Sequence, residues 1–212
     1  MGSAPAAHPA VHPGRIEVIT GPMFSGKSEE LIRRLKRAQI AKRRVVCFKP
    51  DLDIRYNRNA IASHSAQTLD ALAVANFEEL KMVLLPMLDT VEVVGIDEAQ
   101  FFDPSLVPLA NHLVHKGLRV ILAGLDTTFV GEPFAPIPEL MAIADEVTKL
   151  SAVCMQCGAP AVHTQRLGSN QSLVLVGAAG IYEARCRACF LPWAEKQTAE
   201  QLELPVSAGT RS

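Results

Sequence analysis

The sequence predicts an α/β fold, a parallel sheet covered by helices, with a small metal-stapled lobe after it. Three observations carry this. Apolar runs of strand length, IEVI (16–19), RVVCF (44–48), VEVVGI (91–96) and RVILAG (119–124), alternate with amphipathic segments of helix length around 28–42, 76–88 and 105–116. Runs this apolar suit strands buried on both faces, as in parallel sheets. The first run passes through GPMFSGKS (21–28) directly into the first helical segment. Beyond residue 150 the rhythm stops and two CxxC pairs begin.

Taken in order, residues 1–14 (MGSAPAAHPAVHPG) are rich in Ala, Pro and Gly without a period and read as a disordered tail. Folding is expected from Arg15, and the main nucleotide-binding domain over 15–150. In the first helix Leu31, Ile32, Leu35 and Ala38 form one face. Arg33, Arg34, Lys36 and Arg37 load the other, read as a solvated surface. Cys47, inside RVVCF, reads as core. The second lobe is expected over 151–190, with one further strand-like run, SLVLVG (172–177), and a tail over 191–212 holding a short helix.

Composition bounds the function. A chain of 212 residues with 49% hydrophobic content buries a substantial core, enough for one domain and a small appendage. A net charge of −1 and a pI near 6.6 give no global footprint for nucleic acid. No apolar stretch approaches the roughly 20 residues of a membrane span. The first 14 residues lack the pattern of a secretory signal. A cytoplasmic protein without membrane partners is expected, and in a reducing compartment paired CxxC motifs favour metal over disulfides.

Gly21, Gly26, Lys27 and Ser28 satisfy GxxxxGK[ST] between a strand and a helix, the context this phosphate-binding loop requires. The glycines let backbone N–H groups curl around phosphates at the positive end of a helix. Lys27 reaches the terminal phosphates, and the Ser28 hydroxyl ligates Mg²⁺. VEVVGIDE supplies a second element: Asp97 at a strand end to hold the Mg²⁺ shell, then Glu98, the carboxylate placed to orient a nucleophile. These two motifs leave the acceptor open, since water, a protein and a small hydroxyl all suit them.

Cys154/Cys157 and Cys186/Cys189 form two knuckles suited to a tetrahedral Cys₄ zinc site. Four thiolates leave no open coordination position, so the zinc is expected to be structural. His163, between the knuckles, is an alternative ligand but reads as a loop residue. The interval from Gly158 to Arg185 is 28 residues, longer than the roughly 15–20 of a compact ribbon. Surplus chain clamped at both ends by metal is a suitable carrier of binding residues.

GPMFSGKS, IDEAQFF (96–102), GLDTTF (124–129), Pro133–Phe134, VTKLSAVCMQCG (147–158), TQRLG (164–168) and YEARCRAC (182–189) together resemble, in order and spacing, the type II, zinc-containing thymidine kinases. The resemblance runs from about Arg15 to Phe190. It implies a RecA-like P-loop domain and a zinc-ribbon lobe whose long loop, the lasso, closes over the nucleoside. Thymidine or deoxyuridine would accept the γ-phosphoryl group of ATP, with Glu98 taking the 5′-hydroxyl proton and Arg55 lying near the reacting oxygen.

The same resemblance assigns ATP contacts to Gly21, Pro22, Met23, Phe24, Ser25, Gly26, Lys27, Ser28, Asp53, Asp97 and Gln100. Met23, Phe101, Leu125, Phe129 and Phe134 would wall the thymine pocket. Leu173, Val174, Leu175, Val176 and Gly177 would bond base and sugar through main-chain groups, with Tyr182 closing the lasso. A homotetramer and feedback inhibition by dTTP are implied too. Two other readings compete: a zinc-ribbon P-loop ATPase acting on nucleic acid, and a nucleotide sensor without turnover. One Trp, two Tyr and no lysine-rich tract beyond the first helix disfavour a strand-binding face.

Overall fold

The computed structural model describes residues 13–51, 60–62, 68–167 and 180–192. In chain order these form β1 (Arg15–Thr20), α1 (Lys27–Ile40), β2 (Val45–Pro50), β3 (Ala60–Ala62), β4 (Thr68–Asp70), β5 (Leu72–Val74) and α2 (Phe77–Leu84). Then follow β6 (Val93–Ile96), α3 (Leu106–His115), β7 (Arg119–Gly124), α4 (Ile137–Ile143) and β8 (Glu146–Lys149). The second lobe holds β9 (Ala152–Val153), β10 (Pro160–Ala161), β11 (His163–Arg166) and β12 (Tyr182–Arg185).

Six strands make one sheet in the order β5-β2-β6-β7-β1-β8, and every neighbouring pair is parallel. The fold is α/β, as the sequence predicts. Alternate residues of each strand point to opposite faces, which splits the core in two. Ile16, Val18, Val94, Ile96, Val120 and Leu122 face α2, α3 and α4. Ile19, Cys47, Val93, Ile121 and Ala123 face Leu31, Ile32, Leu35 and Ala38 of α1. Each such side chain contributes about 1.5–3 kcal/mol on full burial.

Gly95 sits in the centre of β6, beneath α1. A Cβ there would meet Leu35 Cδ1 at 2.6 Å and Cys47 Sγ at 3.1 Å. Helix and sheet therefore approach more closely than any side chain at this position allows.

The four predicted apolar runs appear as β1, β2, β6 and β7. The helix expected to 88 ends at Leu84 and tightens to a 3₁₀ turn over Leu85–Met87, where Pro86 removes a donor. One face of α1 differs from expectation. Arg34 turns inward rather than to solvent, and its guanidinium bonds Glu17 Oε2 at 2.7 Å and Glu30 Oε1 at 2.8 Å. Arg119 reaches Glu17 Oε1 at 2.6 Å from β7. The buried carboxylate of Glu17, mid-strand in IEVI, draws these cations in, because a charge without water requires a paired partner.

Among the described residues beyond 151 there are two antiparallel pairs, β9 with β10 and β11 with β12. Its apolar centre is small, chiefly Ala152, Cys154, Ala161, Ala184 and Cys186, the situation in which a structural metal supplies folding energy. Among the described residues, no helix is long and apolar enough to cross a membrane.

Candidate active site

The loop that leaves β1 turns because three of its residues take left-handed or glycine-only backbone angles: Gly21 (φ 137°), Phe24 (φ 66°) and Gly26 (φ 83°). At Gly21 the need is steric as well, since a Cβ would lie 2.3 Å from the carbonyl oxygen of Leu150. The turn delivers Lys27 and Ser28 as the first residues of α1. Its amides thus open toward the positive end of a 14-residue helix. Lys27 Nζ and Ser25 Oγ both donate to the Pro22 carbonyl at 2.8 Å, which closes the loop on itself.

At the end of β6, one strand removed from β1 across β7, Ser28 Oγ donates to Asp97 Oδ1 at 3.2 Å. The same oxygen accepts the Glu98 N–H at 3.0 Å. Asp97 is buried, and loss of water, then the neighbouring charge of Glu98, push its carboxyl up to about 7 against the lowering effect of the Ser28 bond. Burial likewise lowers the Lys27 ammonium, opposed by Glu98, Asp97 and Asp126. A buried carboxylate beside a hydroxyl at a phosphate loop is a fitting donor set for a hard divalent cation.

Glu98 itself takes a left-handed conformation (φ 50°, ψ 41°), costing on the order of 1–3 kcal/mol in a non-glycine residue. Gln100 steadies the result. Its Nε2 donates to Glu98 Oε2 at 2.6 Å while its Oε1 accepts the Leu125 N–H at 3.0 Å. Gln100, expected as an ATP contact, is buried with both ends of its amide engaged inside the protein.

The predicted pocket residues fall into two groups. Phe101 and Phe134 meet edge to face, ring centroids 6.0 Å apart at 84°, with Leu125 on the same post-β7 loop. Phe129 and Tyr182, both buried, both pack on Arg166, whose guanidinium carbon lies 3.7 Å from the Phe129 ring centre and 5.0 Å from that of Tyr182. Met23 joins the phosphate loop to the second lobe, its N–H donating to Thr164 Oγ1 at 3.0 Å. Asp53, Arg55 and the segment Leu173, Val174, Leu175, Val176 and Gly177 lie outside the described residues, as does SLVLVG.

Sequence reasoning missed Thr164, Arg166 and the pair formed by Lys149 and Asp126 (Nζ to Oδ2, 2.5 Å). All stand inside motifs quoted above, but nothing in a linear motif reports that an arginine is buried.

The four sulfur atoms of Cys154, Cys157, Cys186 and Cys189 lie within 4.8 Å of one another. Cys157 and Cys186 approach to 3.6 Å, near the ~3.8 Å edge of a tetrahedron with 2.3 Å zinc–sulfur bonds. Such a set can hold a metal such as zinc. Burial raises the Cys154 thiol, but hydrogen bonds from the backbone at Cys186, Gln156 and Cys157 outweigh it and bring the group to about 6. His163 is not part of this cluster. Its ring stacks on Phe190, centroids 4.4 Å apart at 15°.

A phosphate-binding turn at the mouth of an all-parallel sheet, with its acidic partner one strand away, defines a P-loop nucleotide-binding α/β protein of RecA-like order. Within that class the chain belongs to the thymidine kinase family, whose family model matches residues 14–190. It is 50% identical over 197 residues to a thymidine kinase of Rhodothermus sp. (strain ITI 518), covering 93% of this chain and 90% of that protein. A thymidine kinase of Deinococcus deserti is 54% identical over 187 residues, covering 82% of this chain and 93% of that protein. One of Bdellovibrio bacteriovorus is 50% identical over 187 residues, 88% of this chain and 90% of its own.

Proposed function

We propose that this protein transfers the γ-phosphoryl group of ATP to the 5′-hydroxyl of thymidine, giving dTMP and ADP. The observation that carries the mechanism is the division of labour at the end of β6. Asp97 turns to Ser28, and Glu98, reversed by its backbone, is held by Gln100. Glu98 takes the 5′-hydroxyl proton as the oxygen bonds to the γ-phosphorus. The bond from that phosphorus to the β,γ-bridging oxygen breaks, and its electron pair leaves with ADP. Lys27 and backbone N–H groups of the loop neutralise the phosphate charge. Ser28 and Asp97 would hold Mg²⁺, which supplies further charge neutralisation when bound.

On the acceptor side, Met23, Phe101, Leu125, Phe129 and Phe134 enclose the base, and Tyr182 closes the pocket. Leu173 to Gly177 read the base by main-chain groups, and Arg55 approaches the reacting oxygen, with Asp53 on the ATP side. Zinc on the four cysteines is structural and clamps residues 151–190 as a lobe beside the 15–150 domain. Deoxyuridine is a second acceptor. The triphosphate dTTP binds the acceptor site as a feedback inhibitor of a cytoplasmic homotetramer that engages no nucleic acid.

The test is ADP release from Mg²⁺-ATP with thymidine, deoxyuridine, deoxycytidine or DNA added separately. Thymidine should be phosphorylated, and deoxyuridine, lacking one methyl, used within about 10–200-fold. Deoxycytidine has an acceptor at N3 and an amine donor at C4 where thymine has a donor and an acceptor, and should be worse by about 10⁴. Equal use of thymidine and deoxycytidine would defeat main-chain recognition. Stimulation by DNA without phosphorylated nucleoside would point to a nucleic-acid ATPase.

A further inference from the structure

We infer that Arg166 is a positioning residue that sets Phe129 and Tyr182 as fixed walls of the acceptor pocket; the inference rests on the thymidine kinase reading above. Arg166 is 0% exposed. Removing a guanidinium from water costs several kcal/mol, a penalty that a leucine or methionine filling the same space would avoid. Two aromatic rings are among the groups that receive the charge, at 3.7 Å over Phe129 and 5.0 Å over Tyr182. A cation over a ring attracts it more strongly when both are out of water. Nη2 also donates to the Tyr182 hydroxyl.

These contacts come from three separate places in the fold. Arg166 and Tyr182 are cross-strand partners at one end of the β11–β12 pair, whereas Cys186 follows the other end. Phe129 belongs to the loop after β7, in the main domain. That loop is shaped by its own bonds, Thr128 N–H to Glu132 O at 2.8 Å, Gly131 N–H to Thr128 O at 3.0 Å and Phe134 N–H to Asp126 O at 3.0 Å. It should therefore keep its course without Arg166, while the Phe129 ring loses the guanidinium packed 3.7 Å from its centre. The same substitution frees the Tyr182 ring and hydroxyl. Metal retention and the phosphate loop, which are built by other residues, should be unaffected.

The experiment compares the parent with Arg166→Met, Arg166→Lys, Tyr182→Phe and the double variant Arg166→Met/Tyr182→Phe. For each, thymidine Kd by calorimetry, KM for thymidine and ATP, kcat and bound zinc are measured. Arg166→Met should raise thymidine Kd and KM roughly 10–100-fold, because binding must then order the two freed rings. ATP KM, kcat and zinc should stay within about threefold of the parent. Arg166→Lys, which keeps the cation, should recover part of the loss. The double variant should be no worse than Arg166→Met, because both changes break one unit.

Parental thymidine Kd in Arg166→Met, or effects of Arg166→Met and Tyr182→Phe that simply add, would overturn the role. Should Arg166→Met fail to fold, parental Kd in both Arg166→Lys and Tyr182→Phe overturns it equally. A parent protein that does not phosphorylate thymidine would instead defeat the functional reading, which the parent arm alone decides.

Discussion

Gln100 ties Glu98 to the sheet, donating to its Oε2 at 2.6 Å while accepting the Leu125 N–H at 3.0 Å. The carboxylate proposed as general base is thus oriented by a side chain that is itself buried and held at both ends. Glu98→Gln should keep both substrates bound and lose on the order of 10²–10⁴ in turnover. Gln100→Leu should lose less, in kcat rather than in ATP affinity, because its amide faces Glu98 and the backbone. Steady-state kinetics separate the two, and parental turnover in Glu98→Gln would remove that residue from the mechanism.

Lys27→Ala removes a cation that contacts the protein through the Pro22 carbonyl. Ser25 Oγ donates to the same carbonyl at 2.8 Å and keeps the loop closed without it. Turnover should fall on the order of 10²–10³, with the melting temperature little changed. A variant with near-parental turnover would contradict the assignment of the loop.

Cys154→Ser or Cys186→Ser should release bound zinc, read by metal analysis, and abolish thymidine phosphorylation, since metal affinity at such a site is local folding energy. ATP should still bind, because residues 21–28 belong to the main domain. Normal thymidine phosphorylation by the metal-free protein would detach the lobe from the acceptor site.

Glu17 predicts how stability follows pH. Burial alone would raise its carboxyl, but the bonds from Arg119 and Arg34 hold it below the ordinary 4.5. A folded value below the unfolded one means the contribution is complete above about 4.5 and is lost as pH falls through the lower folded value. Glu17→Gln should cost about 3 kcal/mol at pH 7 in denaturant unfolding, the low end for a broken buried pair, because Arg34 keeps Glu30 and Glu146. The gap from the parent should narrow below about pH 4.5. A gap independent of pH would mean the charge of Glu17 is not what stabilises.

The central strands were legible because β6 is apolar throughout, β7 is apolar after Arg119, and both runs are buried on both faces. The edge strands were not. β8 (EVTK) is mostly exposed, and β5 has only three residues, so neither leaves an apolar run. The phosphate loop and the cysteine knuckles were readable because their chemistry dictates residue types at fixed spacing. Arg34 was misread for a physical reason: helical periodicity put it among solvated cations, whereas the acid that turns it inward, Glu17, stands 17 positions earlier on a strand. Arg166 escaped for the same cause, its aromatic partners lying 37 positions before and 16 after it.

The missing side chain at Gly95 acts as a spacer of zero thickness. Ser28 stands at the start of the helix that Gly95 seats, and Asp97 lies two residues beyond Gly95 on the strand below, so one clearance sets the 3.2 Å between their oxygens. Leu35 and Cys47, which a Cβ would strike, are both buried and have little room to yield. A methyl group at residue 95 would therefore lift the helix as a lever lifts its far end, drawing the Ser28 hydroxyl away from Asp97. Here the tolerance of a packed interior is also the tolerance of the reaction.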